Sequence, residues 1–173
     1  MRCPIVLPKM IDPRRSADQD IEYQERMQAG LLKRLEEAVD SLDGEASVKI
    51  RLYRDEQKRM RVYGYASVSV SMVCQRCLQP SEQMLHADID LVAVFSEEQA
   101  KALPKEIDAW VVGESANLHE LIEDELLLAM PIVVYHAENE CSTPAGYKPE
   151  EPLEKVERQS PFAVLKDLAG SSD

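Results

Sequence analysis

The chain has 173 residues, 45% of them apolar, and a formal net charge of −12. That is enough apolar content for one compact core, and the charge argues against broad attraction to nucleic-acid phosphate. No run approaches the roughly 18–20 apolar residues of a membrane span, and no N-terminal stretch reads as a signal peptide, so the expected compartment is the cytoplasm, with reduced cysteines.

Residues 1–18 contain three prolines and the basic pair Arg14-Arg15 and predict an extended arm. Ile21, Tyr23, Glu25 and Met27 alternate as in a short strand. From Gln28 the spacing changes: Leu31, Leu32, Leu35 and Val39 share a helical face, and Asp43-Gly44 is a stop signal. Val48, Ile50 and Leu52 then alternate with polar residues. After a turn at Asp55-Glu56-Gln57-Lys58, Met60, Val62, Gly64, Ala66, Val68, Val70 and Met72 occupy every second position. Together they predict a β-hairpin with one apolar face, and Lys49, Arg51, Arg59 and Arg61 fall on the solvent-facing parity.

Leu85 to Phe95 repeats the alternation as a third strand. Ser96-Glu97-Glu98 starts a short helix that ends before Pro104, and Ile107–Val112 reads as another strand. Asn117 is an N-cap for a helix over 118–130, with Leu118, Leu121, Ile122, Leu126 and Ala129 on one face. Pro131–Tyr135 reads as a strand running into His136. Residues 137–159 form an acidic, Pro-rich linker. Ser160-Pro161-Phe162 opens a short C-terminal helix within 160–173.

Charge is distributed unevenly. Residues 1–81 carry 14 Lys and Arg against 12 Asp and Glu, whereas residues 82–173 carry 6 against 20. A basic surface for RNA or a partner is therefore sought in the first half: Lys49, Arg51, Arg54, Lys58, Arg59 and Arg61 on the hairpin, with Arg14 and Arg15.

The chemistry-bearing residues are Cys74 and Cys77, in Cys-Gln-Arg-Cys after the hairpin, and His136 and Cys141 far along the chain. A Cys-x-x-Cys turn lets two thiolates converge on one ion, and a second His/Cys pair completes four ligands. This reads as a closed, structural zinc site with no open position for chemistry. Two other readings stay open at this point: a vestigial pair of buried cysteines, and a reducible dithiol in a cytoplasmic thiol-redox or metal-handling protein. Arg76, between the cysteines, either contacts a partner or offsets thiolate charge. Cys3 reads as an incidental thiol and His86 as exposed. His119-Glu120-Leu121-Ile122-Glu123 lacks the second histidine of a metalloprotease helix. No zinc-deaminase pattern, phosphate-binding glycine loop or nucleophile–base pair is present, so neither an enzyme nor a small-molecule substrate is expected.

Val73-Cys74-Gln75-Arg76-Cys77-Leu78, the run Ile122–Pro131, His136 with Cys141, and Ser160–Leu165 occur in an order that resembles the YceD family, the large ribosomal RNA subunit accumulation proteins of bacteria and plastids. Asp12-Pro13-Arg14-Arg15 and Ala102-Leu103-Pro104 fit as well. The resemblance implies a non-enzymatic role in synthesis, processing or stability of 23S ribosomal RNA. It also implies a ribosomal RNA precursor or a basic large-subunit ribosomal protein as partner. Many members of the family carry a second cysteine pair where this chain has His136 and Cys141. The expected fold is a single α+β domain over 19–136. It is mainly an antiparallel sheet, open or a partly closed barrel, covered by the helix at 118–130.

Overall fold

The computed structural model describes residues 5–42, 44–137, 140 and 141. The chain divides into two units, Met1–Ser142 and Thr143–Asp173, and every described residue lies in the first. Cys3, most of the expected linker and the whole segment 160–173 lie outside the described residues.

Strand β1 (Met10–Ile11) leads into helix α1 (Pro13–Asp18), so the arm expected over 1–18 is not extended throughout. Pro13 opens the helix, where a missing N–H costs nothing, and the Asp12 side chain accepts the Arg15 N–H at 3.1 Å. One of the prolines that suggested an extended chain is thus a helix start. Strand β2 (Ile21–Gln28) follows its predicted alternation. The helix expected from Gln28 is shorter than its pattern: a 3₁₀ turn covers Ala29–Leu31 and α2 only Lys33–Ala38. Leu32 and Leu35 are fully buried, while Leu31 is 51% exposed.

Gly44, at φ +96°, takes the chain into β3 (Glu45–Arg54) through a conformation that costs other residues strain. β4 (Met60–Val73) and β5 (Pro80–Val94) complete the three long strands. Their predicted inward rows hold: Val48, Ile50, Leu52, Val62, Ala66, Val68, Val70, Leu85, Ala87 and Ile89 are all buried. Helix α3 (Glu97–Lys101), capped by the Ser96 hydroxyl, carries the chain to β6 (Asp108–Val111). β7 (Ala116–Asn117) pairs with β1. Helix α4 (Leu118–Leu128) begins at Asn117, whose side-chain oxygen accepts the N–H groups of His119 and Glu120 at 3.1 and 3.4 Å.

The main sheet has the order β2-β3-β4-β5-β6. Its first three pairings are antiparallel and β6 runs parallel to β5. Strands β2 and β6 end the sheet, so it is open rather than a closed barrel among the described residues. Ile5 lies along β2, accepting the Gln24 N–H at 3.0 Å and donating to the Glu22 carbonyl at 3.1 Å, which shields that edge. Helices α1 and α4 pack on the inner face. Leu118, Leu121, Ile122 and Leu126 of α4 are buried in the same apolar cluster as the strand rows. Each such side chain contributes about 2 kcal/mol of burial.

Pro131–Tyr135, expected as a strand, pairs with no strand among the described residues. Pro131 has no N–H to give a ladder. Ile132 is 95% exposed, while Val134 is buried and its carbonyl accepts the Gln75 N–H at 2.9 Å. The segment is a strap laid over the β4–β5 turn.

Helix α2 has no capping side chain of its own, because Leu32 stands at its N-cap. Glu123 of α4 supplies the cap. Its Oε1 accepts the N–H groups of Arg34 and Leu35 at 2.7 and 3.3 Å, and its Oε2 accepts Arg34 Nε at 2.8 Å. The Glu123 side chain is 8% exposed, and Asp124 receives Arg34 Nη1 at the surface. Replacing Glu123 with Ala orphans two helix N–H groups and takes one of two carboxylate partners from the Arg34 guanidinium, and should cost about 2 kcal/mol. Asp124→Ala should cost less than about 1 kcal/mol. Urea titration with an unchanged m-value is the measurement, and equal small losses would show that the cap contributes nothing.

Candidate metal centre and outer sheet face

Cys74 and Cys77 lie in the turn between β4 and β5. Two antiparallel partners, Val73 and Pro80, close the end of the ladder. The turn is pinned by Cys74 N–H on the Gln79 carbonyl and Leu78 N–H on the Cys74 carbonyl, both 2.9 Å. Leu78 adopts φ +58° although it is neither Gly nor Asn. Such a residue is held there by its surroundings.

His136 and Cys141 come to this turn from the strap after α4. One donor atom from each of Cys74, Cys77, His136 and Cys141 lies within 4.8 Å of the other three. Cys74 Sγ is 3.8 Å from Cys141 Sγ, and Cys77 Sγ is 3.3 Å from His136 Nδ1. Two thiolates about 2.3 Å from a common ion at the tetrahedral angle stand about 3.8 Å apart. The same sulfur separation is nearly twice a disulfide bond of about 2.05 Å. The thiols are free, and the donor set and its spacing fit a four-coordinate metal.

The four side chains are oriented by a further layer of contacts. His136 Nε2 lies 2.8 Å from the Pro80 carbonyl, which can only accept, so Nε2 carries the proton and Nδ1 presents its lone pair. The His136 backbone N–H points at Cys74 Sγ at 3.5 Å. The Arg76 guanidinium sits 5.1 Å over the Tyr135 ring, joining turn to strap a second time.

Electrostatics divide the thiols. Burial pushes the Cys74 thiol up, but N–H groups of Cys77, His136 and Arg76 outweigh it and bring the thiol down to about 5. At Cys77 burial is likewise overcome, chiefly by the Gln79 N–H, and the thiol falls below its ordinary value. Cys141 is pushed up to about 11, first by burial and then by its contacts with Cys77 and Cys74. His136 is raised, first by its bond to Pro80 and also by the two thiols. Neighbouring thiolates repel, so one thiol keeps its proton. A bound cation would relieve that repulsion and release it.

The nine cations singled out in the sequence do not form one patch: Arg54 binds Asp18 at 2.8 Å and Lys58 sits in the hairpin turn. Lys49, Arg51 and Arg61 share the outer, solvent-facing side of the sheet, as their parity predicts. Lys49 Nζ lies 3.4 Å from Glu22, Arg51 holds Asp20 with two bonds of 2.6 and 3.0 Å, and Arg61 holds Asp90. Arg59 is drawn into the hairpin turn, where its Nε and backbone N–H bind the Asp55 carboxylate at 2.7 and 2.8 Å. Arg14 lies on α1 with its guanidinium 4.2 Å over Phe95, Arg15 is exposed on the same helix, and Arg76 is in the β4–β5 turn. The sequence reading passed over Tyr63 and Tyr65, which stand among these cations on the outer face. The alternation of β4 already placed both opposite the core row.

No helix among the described residues is long and apolar enough to cross a membrane. No solved structure matches the chain. The family described as "Large ribosomal RNA subunit accumulation protein YceD" matches residues 62–169. A Haemophilus influenzae protein with the same description is 32% identical over 171 residues, covering 95% of this chain and 97% of the relative. The chain belongs to the YceD family.

Proposed function

We propose that this protein is a non-enzymatic accessory of ribosome assembly in the cytoplasm. It supports accumulation of the large-subunit ribosomal RNA by binding the RNA precursor or a basic large-subunit ribosomal protein. One observation carries the reading: the end-to-end similarity to a relative whose description is accumulation of that RNA. Contact is assigned to Lys49, Arg51 and Arg61 on the outer face, Arg14 and Arg15 on α1, and Arg76 at the turn. Arg59 acts first as the staple of its hairpin.

The metal is zinc, held by Cys74, Cys77, His136 and Cys141. Thiolate and imidazole donors at tetrahedral spacing support that choice. Four protein ligands would leave the ion no open position, so its role is to hold the turn and strap together.

Two measurements test these assignments. Protein purified under reducing conditions should carry one zinc per chain, and removing it with a strong chelator should lower stability by at least about 3 kcal/mol. A metal-free chain with a readily formed Cys74–Cys77 disulfide would favour the thiol-redox reading instead. Crosslinking in cells should recover large-subunit ribosomal RNA precursor, or a basic ribosomal protein of that subunit, well above an unrelated acidic control. Recovery of neither would contradict the proposed function.

A further inference from the structure

We infer that the outer face of the sheet is a stacking platform for unpaired bases of single-stranded RNA, centred on Tyr63 and Tyr65. The inference rests on the RNA reading above and specifies the surface and the form of RNA.

Tyr63 and Tyr65 are two residues apart on β4, so both rings stand on the same side of the sheet. The fold buries Tyr23 but leaves Tyr63 57% exposed. Tyr65 already takes part in a stack: its ring centroid is 5.7 Å from that of His86 on β5, with 27° between the planes. Beside the tyrosines is a groove of about 300 Å³, at the lower end of ligand-sized clefts. Lys49 and Arg51 of β3 line one side together with the Glu22 carboxylate of β2, and the Asp88 carboxylate of β5 lines the other.

Gly64, between the two tyrosines in sequence, belongs to the inward row of β4, and a Cβ there would fall 1.9 Å from the Lys49 carbonyl oxygen, so β3 and β4 approach too closely for any side chain. Between the rings the outer face presents only β4 backbone, because residue 64 faces the core side, and a planar group can approach both rings.

The charges on this face select the form of nucleic acid. Lys49, Arg51 and Arg61 each have a carboxylate partner, so little uncompensated positive charge faces solvent. A duplex offers phosphates outward and keeps its bases stacked on each other. A single strand offers base faces to tyrosine, and amino groups to the Glu22 and Asp88 carboxylates. Binding driven by stacking tolerates many sequences, and with these cations paired it neutralises few phosphates, so it depends less on salt than binding to a cationic groove.

The test uses the full chain and fluorescein-labelled oligouridylate, alone or annealed to oligoadenylate, with anisotropy as readout. The single strand should bind at least about tenfold more tightly than the duplex. Its affinity should change by less than about tenfold between roughly 50 and 200 mM potassium chloride. The double variant Tyr63→Ala/Tyr65→Ala should weaken binding by about tenfold or more, whereas Tyr63→Phe/Tyr65→Phe should stay within about threefold. An unchanged melting curve would verify that the alanine variant is folded.

Equal binding of the duplex, no binding of the single strand, or full binding by the folded alanine variant would overturn the inference. Loss in that variant of binding to a basic ribosomal protein, with RNA binding intact, would also overturn it. The underlying reading fails separately, if the wild-type chain recovers neither large-subunit RNA nor protein from cells. If wild type and alanine variant recover the same RNA equally, the platform is wrong and the reading stands.

Discussion

The convergence of Cys74, Cys77, His136 and Cys141 is the constraint on which the far end of this fold depends. The β4–β5 turn projects past the apolar cluster and has few core side chains to hold it. The strap after α4 has no ladder of its own. Each is anchored by the other: through the four-donor group, through Gln75 N–H on the Val134 carbonyl, and through Arg76 over Tyr135. Zinc, as proposed, would turn three clustered thiols that repel one another as thiolates into a cross-link. The middle of α4 uses a different device, in which the buried Glu123 carboxylate finds its partners by capping α2. Helix α4 therefore links the sheet to two elements that could not hold their places by apolar burial alone.

An acidic protein that meets RNA needs a surface where its charge is not decisive. The outer face of β3, β4 and β5 has that property because its cations and carboxylates are interleaved across neighbouring strands. The inner face of the same strands is given over to the core. Period-two alternation thus serves both purposes with one stretch of chain: even-numbered residues of β4 build the fold, and odd-numbered ones meet the solvent and, as proposed, the partner. The four-donor turn is a separate feature that steadies one end of the β4–β5 ladder. This division explains why the cysteines, the most conspicuous residues in the sequence, belong to architecture in this account.

Much of this was legible in the sequence for physical reasons. A half-buried antiparallel sheet writes its two faces into alternate residues, so β3, β4 and β5 and the outward set Lys49, Arg51 and Arg61 could be read directly. Asn117 and Ser96 are local caps and marked their helices. Cys74, Cys77, His136 and Cys141 could be grouped by ligand chemistry before their path was known. Most of what failed depended on distant partners. The cap of α2 lies 89 residues away from Arg34, so no window around the helix contains it. Within the apolar run Pro131–Tyr135 only Val134 is buried, and composition does not distinguish that from a strand. Pro13 counts equally as an extended residue and as a helix start until Asp12 is seen capping. Tyr63 and Tyr65 had the right parity, but their neighbours come from the β3 and β5 registers.

X-ray absorption at the zinc edge, on full-length protein purified under reducing conditions, is the most direct test of the four-ligand cross-link. The account predicts a four-coordinate ion with three sulfur scatterers at about 2.3 Å and one imidazole nitrogen at about 2.0 Å. A shell of only two sulfurs completed by water oxygens, or protein without metal, would contradict it.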